Sequence, residues 1–486
     1  MKLLQKKFLK ALHLLFALAV LTTSCQNETA AAPDKNTDTQ YEETSTRTDI
    51  LFMMYLDGDN SLSDALFQDL NEAEAGLYAA KASGGKTINV IALWDGGMSS
   101  AISANKKTKL LHVGPDARTT AYGLCTLSSN TRDLTSTASW ITDNEADMAN
   151  PETLSSFINW TLEHYTADTI ILEMSDHGGG PGGTSYANQK TSSRIICSDD
   201  TSGTYMSTQD LSLALQNAGF GLQEDGTCKR LDLLTFDLCL EGSLEEAYQY
   251  RNQAELMLSS PNNIPGNGFN YATLIPTLTG SSKLTEACST IIDQYAKTYD
   301  DKFWKTTASC MGYSWSTLTE EQKSLVNFCA LYGTPTLSLY DLTKADAAAS
   351  ALKSFTDTVC STKAYQTNLI KEDLVYYKGT YTLLYDTGYL MDLYMKNADE
   401  TLKEACLEVQ QALSAMIVKA WRDDINTIYS QADFYQNTLG ATEEKNCYGI
   451  TIGGFTTKRG TEIPSFYDNI DFTEATGWKE FLNTIK

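Results

Sequence analysis

Apolar residues along this chain come in two spacings, and the two alternate. Solid short runs recur at "DILFMMYL" (49–56), "TINVIALWD" (87–95), "DTIILEMSD" (168–176), "LDLLTFDLC" (231–239) and "AELMLSS" (254–260). Runs of that length, flanked by polar residues, predict strands buried on both faces. Between them, apolar residues fall at helical spacing from about Ser61 to Lys81, in "NPETLSSFINWTLEHY" (150–165) with Pro151 in its first turn, in "STQDLSLALQNAG" (207–219) and in "SLEEAYQYRN" (243–252). Repeated strand–helix alternation predicts a mostly parallel sheet flanked by helices on both faces. In such α/β sheets ligands sit beyond the carboxyl ends of the strands.

After about Leu278 the pattern changes. Helical stretches dominate: "LTEACSTIIDQYAKTYDDKFW" (284–304), "ADAAASALKSFTDTVCS" (345–361) and "ADETLKEACLEVQQALSAMIVKAW" (398–421). A strand-like "CYGITIGG" and the tail "FYDNIDFTEATGWKEFLNTI" follow. The expected organisation is an α/β core over 49–278 and a mostly helical accessory region over 279–486.

The N-terminus belongs to neither. "MKLLQKKFLKALHLLFALAVLTTSC" carries Lys2, Lys6, Lys7 and Lys10, an apolar stretch from about Ala11 to Leu21, and small residues ending in Cys25. This reads as an export signal, too short and wrongly flanked for a spanning helix. Its ending resembles a bacterial lipobox, in which Cys25 is lipidated and becomes the new terminus. Cleavage nearby without lipid is the alternative. Residues 26–48 are polar, Thr-rich and aperiodic, as expected of a flexible tether. The expected location is outside the bacterial cytoplasm, held to a membrane through the lipid alone.

Composition narrows the partners. A formal net charge of −24 over 486 residues excludes a nucleic-acid partner, which requires a basic face. The cysteines after Cys25 are scattered singly, with neither a CxxC pair nor a short disulfide framework, and no Cys or His pair has zinc-ligand spacing. No metal site is therefore assigned.

Candidate chemistry lies at two strand ends. "SDHGGGPGG" puts His177, one of only four histidines, at the end of an apolar run and before a glycine-rich segment. "FDLCLEGSLEEAYQ" puts Cys239 at another strand end, read as immediately preceding a helix, where the positive helix end would favour thiolate. His177 could be the base for that thiol. The glycines let a substrate backbone approach, and the N–H groups of Gly178 and Cys239 would form an oxyanion hole. Each residue also has an ordinary structural explanation, since a cysteine ending a buried strand is commonly core. "HGGG" also suits a lipase-like oxyanion loop, but the required G-x-S-x-G elbow is absent. "GGKT" (84–87) lacks the first glycine of a phosphate loop. "DGDNSLSD" (57–64) has the acids of a calcium loop without its central Gly and terminal Glu, and reads as a strand-to-helix turn with helix caps.

Taken together, "MMYLDGDNSL", "INVIALWDGG", "DMANPETLSSFINW", "SDHGGG", "RIICSDDTSG", "LTFDLCLEG", "PGNGFNY" and "IDFTEATGWKEFL" resemble the clostripain family of cysteine peptidases. That family lies in the caspase-like clan with gingipains and legumain. The resemblance implies a caspase-like fold and an endopeptidase acting on protein or peptide substrates. His177 would be the acid–base, Cys239 the nucleophile, and the Gly178 and Cys239 amides the oxyanion hole. Cleavage after Arg or Lys is implied, with Asp237 in the S1 pocket that receives the side chain before the scissile bond (P1). Two departures bear on this. Pro261, Asn262 and Asn263 stand where family members often carry a further acid, which leaves a non-basic P1 preference open. No Trp follows the glycines after His177. Family members are often nicked between histidine and cysteine. In the Gly-, Ser- and Thr-rich stretch from Gly178 to about Ser207, Lys190 is the favoured cleavage point and Arg194 the other. The chemistry calls for no cofactor, and calcium is left open without a clear site. A peptide-binding surface lipoprotein that has lost turnover is the competing reading.

Overall fold

The computed structural model describes residues 46–97, 107–117, 126–142, 145–181, 196–299, 315–317, 335–362, 376–378, 382–396, 398–422, 448–456 and 462–485. Cys25, Lys190 and Arg194 lie outside the described residues. Nine strands form the main sheet: β1 (Arg47–Gly58), β2 (Ile88–Gly96), β3 (Lys109–His112), β4 (Arg132–Asp133), β5 (Thr166–Ser175), β6 (Leu231–Asp237), β7 (Ala254–Ser259), β8 (Thr336–Asp341) and β9 (Ile417–Arg422). Their spatial order is β9-β8-β7-β6-β5-β1-β2-β3-β4. The central strands β7, β6, β5, β1 and β2 are mutually parallel, and the strands added at either edge are antiparallel.

β1 explains why its sequence is apolar without alternation. Leu51, Met53 and Tyr55 enter one core, with helices α2 (Pro151–His164), α3 (Thr208–Asn217), α4 (Leu244–Tyr250) and α7 (Ala345–Thr362). Ile50, Phe52, Met54 and Leu56 enter the other, with α1 (Ser63–Ser83), α5 (Tyr271–Gly280) and α6 (Leu284–Thr298). Both faces of the strand are covered, so neither tolerates polar residues. Helix starts follow the expected chemistry at α2, where the Asn150 side chain accepts from the Glu152 N–H and Pro151 occupies the first turn.

Most of the described residues beyond 278 are helical, and others among them complete the sheet. The 398–421 stretch is not one helix. It is helical over Glu400–Met416, then Ile417 turns extended and β9 pairs with β8. The β-branched pair Ile417–Val418 favours that change, and Trp421 packs edge-on against Tyr295 of α6, 5.8 Å between ring centroids. "CYGITIGG" supplies the strand Thr451–Thr456 of a separate small sheet. Among the described residues no helix is long and apolar enough to cross a membrane.

Candidate active site

Register brings the two strand ends together. β5 and β6 are adjacent and parallel, with Ser175 opposite Asp237. Two residues further on, His177 and Cys239 leave the sheet side by side. The contact is closest at Gly178, where a Cβ would lie 2.0 Å from the Cys239 carbonyl oxygen and 2.6 Å from its nitrogen. No residue with a side chain fits there, which is why glycine follows the histidine.

The cysteine sits on a tight turn, not at a helix start. Four residues separate it from Leu244, the first residue of α4, so the expected benefit of a helix end is missing. Leu240 has φ of 70°, a conformation costly for a non-glycine residue, and its N–H donates to the Asn262 carbonyl at 2.9 Å. Gly242 N–H donates to the Ser260 carbonyl at 2.9 Å. The thiol Sγ accepts from the Ile264 N–H at 3.3 Å. Burial pushes the thiol up to about 11, against the pull of the Ile264 and Gly178 N–H groups, and the charges of Glu241 and Asp237 add to the rise. The resting group is a neutral thiol, which corrects the expectation of a thiolate.

His177 is half-buried, and its Nε2 lies 2.9 Å from the Ser61 hydroxyl. Ser61 follows β1 in the "DGDNSLSD" turn. That turn is braced by Asn60, whose amide donates to Asp176 Oδ1 at 2.6 Å and to the Asp57 and Ser198 carbonyls, both at 3.1 Å. The N-cap position of α1, Leu62, makes no side-chain cap bond, unlike the capped turn expected. Ser61, Asn60 and Asp176 were not singled out in the sequence. The acid–amide richness of the turn hinted at Ser61 and Asn60, while Asp176 stood beside His177 in "SDHGGG" without an assigned role.

Asp237 ends β6 and is almost fully buried. Its Oδ2 accepts from the Phe269 N–H at 2.8 Å and the Tyr271 hydroxyl at 3.2 Å, while Oδ1 has no partner. Burial raises it to about 6. Gly268, at φ of 55°, lies against this carboxylate so closely that a Cβ would sit 2.2 Å from Oδ2.

One acidic grouping has the donors for a cation. Asp59, Asp95, Glu145 and Asp199 offer oxygens within 4.8 Å of one another. Buried Asp95 accepts at Oδ1 from the Thr108 hydroxyl and the Gly96 N–H but has no partner at Oδ2. Burial and the facing charge of Glu145 push Asp95 up to about 8. All-oxygen donors and an orphaned buried oxygen fit a hard divalent ion. The sequence showed no such site because its four members come from separate segments.

Comparisons with known proteins bear on the family and the fold. Residues 54–484 match the clostripain family. The chain is 31% identical over 238 residues to clostripain from Hathewaya histolytica, covering 46% of this chain and 40% of that protein. Its fold is similar to a secreted C11 cysteine protease from Bacteroides thetaiotaomicron bound to an irreversible peptide inhibitor, with 17% identity, TM-score 0.56, and coverage of 88% of this chain and 99% of that one. An inactive zymogen C11 protease from Parabacteroides distasonis is similar at 17% identity and TM-score 0.56, covering 90% of this chain and 99% of its own. The family match spans most of the chain, and the mostly parallel sheet has the caspase-like form. This chain belongs to the clostripain family.

Proposed function

We propose that this chain is an exported cysteine endopeptidase that hydrolyses peptide bonds after Arg or Lys. The observation that carries the reading is the β5–β6 register, which sets His177, Gly178 and Cys239 at one point beyond the sheet. With Nε2 engaged by Ser61, Nδ1 of His177 serves the thiol. The thiol is neutral at rest, so attack on the carbonyl carbon passes its proton to His177. The Gly178 and Cys239 N–H groups receive the developing oxyanion. His177 then protonates the leaving amine, and water hydrolyses the thioester with His177 as base. Asp237 Oδ1, buried and without a partner, is the oxygen offered to a cationic P1 side chain. Cleavage of Arg and Lys fluorogenic peptides that disappears in Cys239→Ala supports this; cleavage retained in that variant refutes it.

A non-basic P1 preference is the second reading, favoured by the buried Asn262 in the segment where a further acid is absent. A P1 profile of the purified chain separates the two. The chemistry draws on no cofactor. Calcium, if bound at Asp59, Asp95, Glu145 and Asp199, acts by holding the turn that carries Ser61. Lipidation at Cys25 anchors the mature chain, and mass spectrometry of its N-terminus tests that. Activation by self-cleavage is expected at Lys190 rather than Arg194, giving a new terminus at Thr191. An active enzyme that remains one intact chain excludes it.

A further inference from the structure

Beyond the groups that touch substrate, one buried carboxylate reaches the same site from the interior. Glu241 lies two residues after Cys239 and is 0% exposed. Its Oε1 accepts from the Gly180 N–H at 3.3 Å, and the Gly179 N–H also bonds to this carboxylate. On its far side lies Glu246, also 0% exposed, with which it shares a hydrogen bond. Glu246 is fixed in turn, since Ser243 Oγ donates to its Oε2 at 3.1 Å and accepts from its N–H at 3.2 Å. Burial and the neighbouring charge of Glu241 hold Glu246 well above the ordinary carboxyl range, so it keeps the shared proton and donates it to Glu241.

A fully buried carboxylate is costly unless its oxygens are bonded. The partners that Glu241 has taken are the amides of the glycine segment, which has no side chains of its own to fix it. Glycine loses more conformational freedom on folding than any other residue, so such a segment holds direction only if something grips its backbone. The grip falls one and two residues after Gly178, which is itself packed on the Cys239 backbone.

We propose that Glu241 is a positioning residue for the oxyanion donor. By gripping the Gly179 and Gly180 amides it fixes the direction of the Gly178 N–H beside Cys239. The inference rests on the peptidase reading above.

The test compares reactions that use the oxyanion hole with one that does not. A peptide aldehyde uses it: Cys239 Sγ bonds to the aldehyde carbon, the thiol proton passes through His177, and the former carbonyl oxygen takes the place of the oxyanion. Iodoacetamide does not, because Sγ forms a bond to carbon as iodide leaves. Removing one oxyanion donor typically costs about 10²–10³ in kcat, so a misdirected donor in Glu241→Met should cost on the order of 10–10². Aldehyde affinity should weaken by a similar factor, with KM within about two-fold of wild type and alkylation no slower than wild type, since loss of the Glu241 charge eases ionisation of the thiol. Glu241→Gln keeps an acceptor oxygen without the charge and should lie between Glu241→Met and wild type in both kcat and aldehyde affinity. If Glu241→Met fails to fold, the Glu241→Gln comparison decides by the same two readings. Unchanged kcat and aldehyde affinity overturn the proposal, as does alkylation that falls in step with kcat, which marks general disruption. Cleavage that survives Cys239→Ala overturns the peptidase reading as well; Cys239-dependent cleavage indifferent to Glu241 overturns the grip alone.

Discussion

Two groups of buried acids lie at the same end of the sheet and have opposite solutions to the same problem. Beyond β5 and β6, Glu241 and Glu246 satisfy their burial internally, by a shared proton and by backbone N–H groups. Beyond β1 and β2, Asp59, Asp95, Glu145 and Asp199 face one another and leave Asp95 Oδ2 without a donor. The first is completed by the one proton its members share, without which Glu241 Oε2 and Glu246 Oε1 have no partner, and it lies against the Cys239 turn. The second is complete only with a proton or a cation, and reaches His177 indirectly, through the turn that carries Ser61. Similar chemistry thus does different work: one grouping fixes direction, and the other makes the neighbouring turn responsive to its surroundings.

The comparison is broken most sharply at Cys239 and His177, the proposed reacting pair. Cys239→Ala and His177→Ala should each reduce kcat by about 10³-fold or more while leaving the fold intact by circular dichroism. Asp95→Asn, by contrast, should change stability first and turnover only secondarily. Substantial turnover by either alanine variant would place the chemistry elsewhere.

Next in size is specificity. Asp237→Asn should lower kcat/KM for Arg and Lys peptides by about 10²-fold, since a buried acid–cation pair contributes roughly 2–5 kcal/mol, and should affect neutral P1 peptides less. A wild-type preference for neutral P1 would overturn the assignment without touching the dyad.

Smaller still is the link between the two groupings. Ser61→Ala removes one hydrogen bond to the His177 ring, worth about 1 kcal/mol, or roughly 5-fold in kcat, with KM unchanged. No change in kcat would mean that the acid-rich turn does not reach the chemistry through Ser61.

The smallest effect concerns protons and ions. Asp95 is held near 8, Asp199 near 7, and Glu72 and Glu245 near 7, all chiefly by burial. Their folded values lie above the unfolded ones, so the folded chain binds more protons, and stability present at mildly acidic pH is lost as pH rises towards about 8. Thermal midpoints should therefore fall from pH 5 to pH 8. Calcium should restore a few degrees at pH 8, and Asp95→Asn should both raise the calcium-free midpoint and abolish the calcium response. A midpoint indifferent to calcium would leave the cluster as a proton-binding feature.

Much of this was legible before any coordinates. The solid apolar runs of β1, β2, β5, β6 and β7 announce strands covered on both faces, and His177 and Cys239 stand where those runs stop. Other features were hidden for identifiable reasons. Whether the strand ends meet depends on the order β5–β6, which no local pattern encodes. Glu241 and Glu246 resemble ordinary surface acids, because burial is a property of what packs over them. The neutral thiol was missed because four non-helical residues, not a helix start, follow Cys239. Where Ile417 leaves its helix, tertiary pairing with β8 overrides a continuous helical pattern.

The strand Thr451–Thr456 has a consequence for timing. Thr451 N–H donates to the Gly242 carbonyl at 2.9 Å, and Gly453 N–H donates to Glu245 at 2.8 Å, bonds that join segments more than 200 positions apart. Trp478, nearer still to the C-terminus, donates its indole N–H to the Gly453 carbonyl at 2.7 Å. A ribosome delivers Cys239 long before it delivers these braces. The Cys239 turn of a nascent chain is therefore unsupported until residues past Trp478 have been made, so the turn is completed long after its own cysteine is in place.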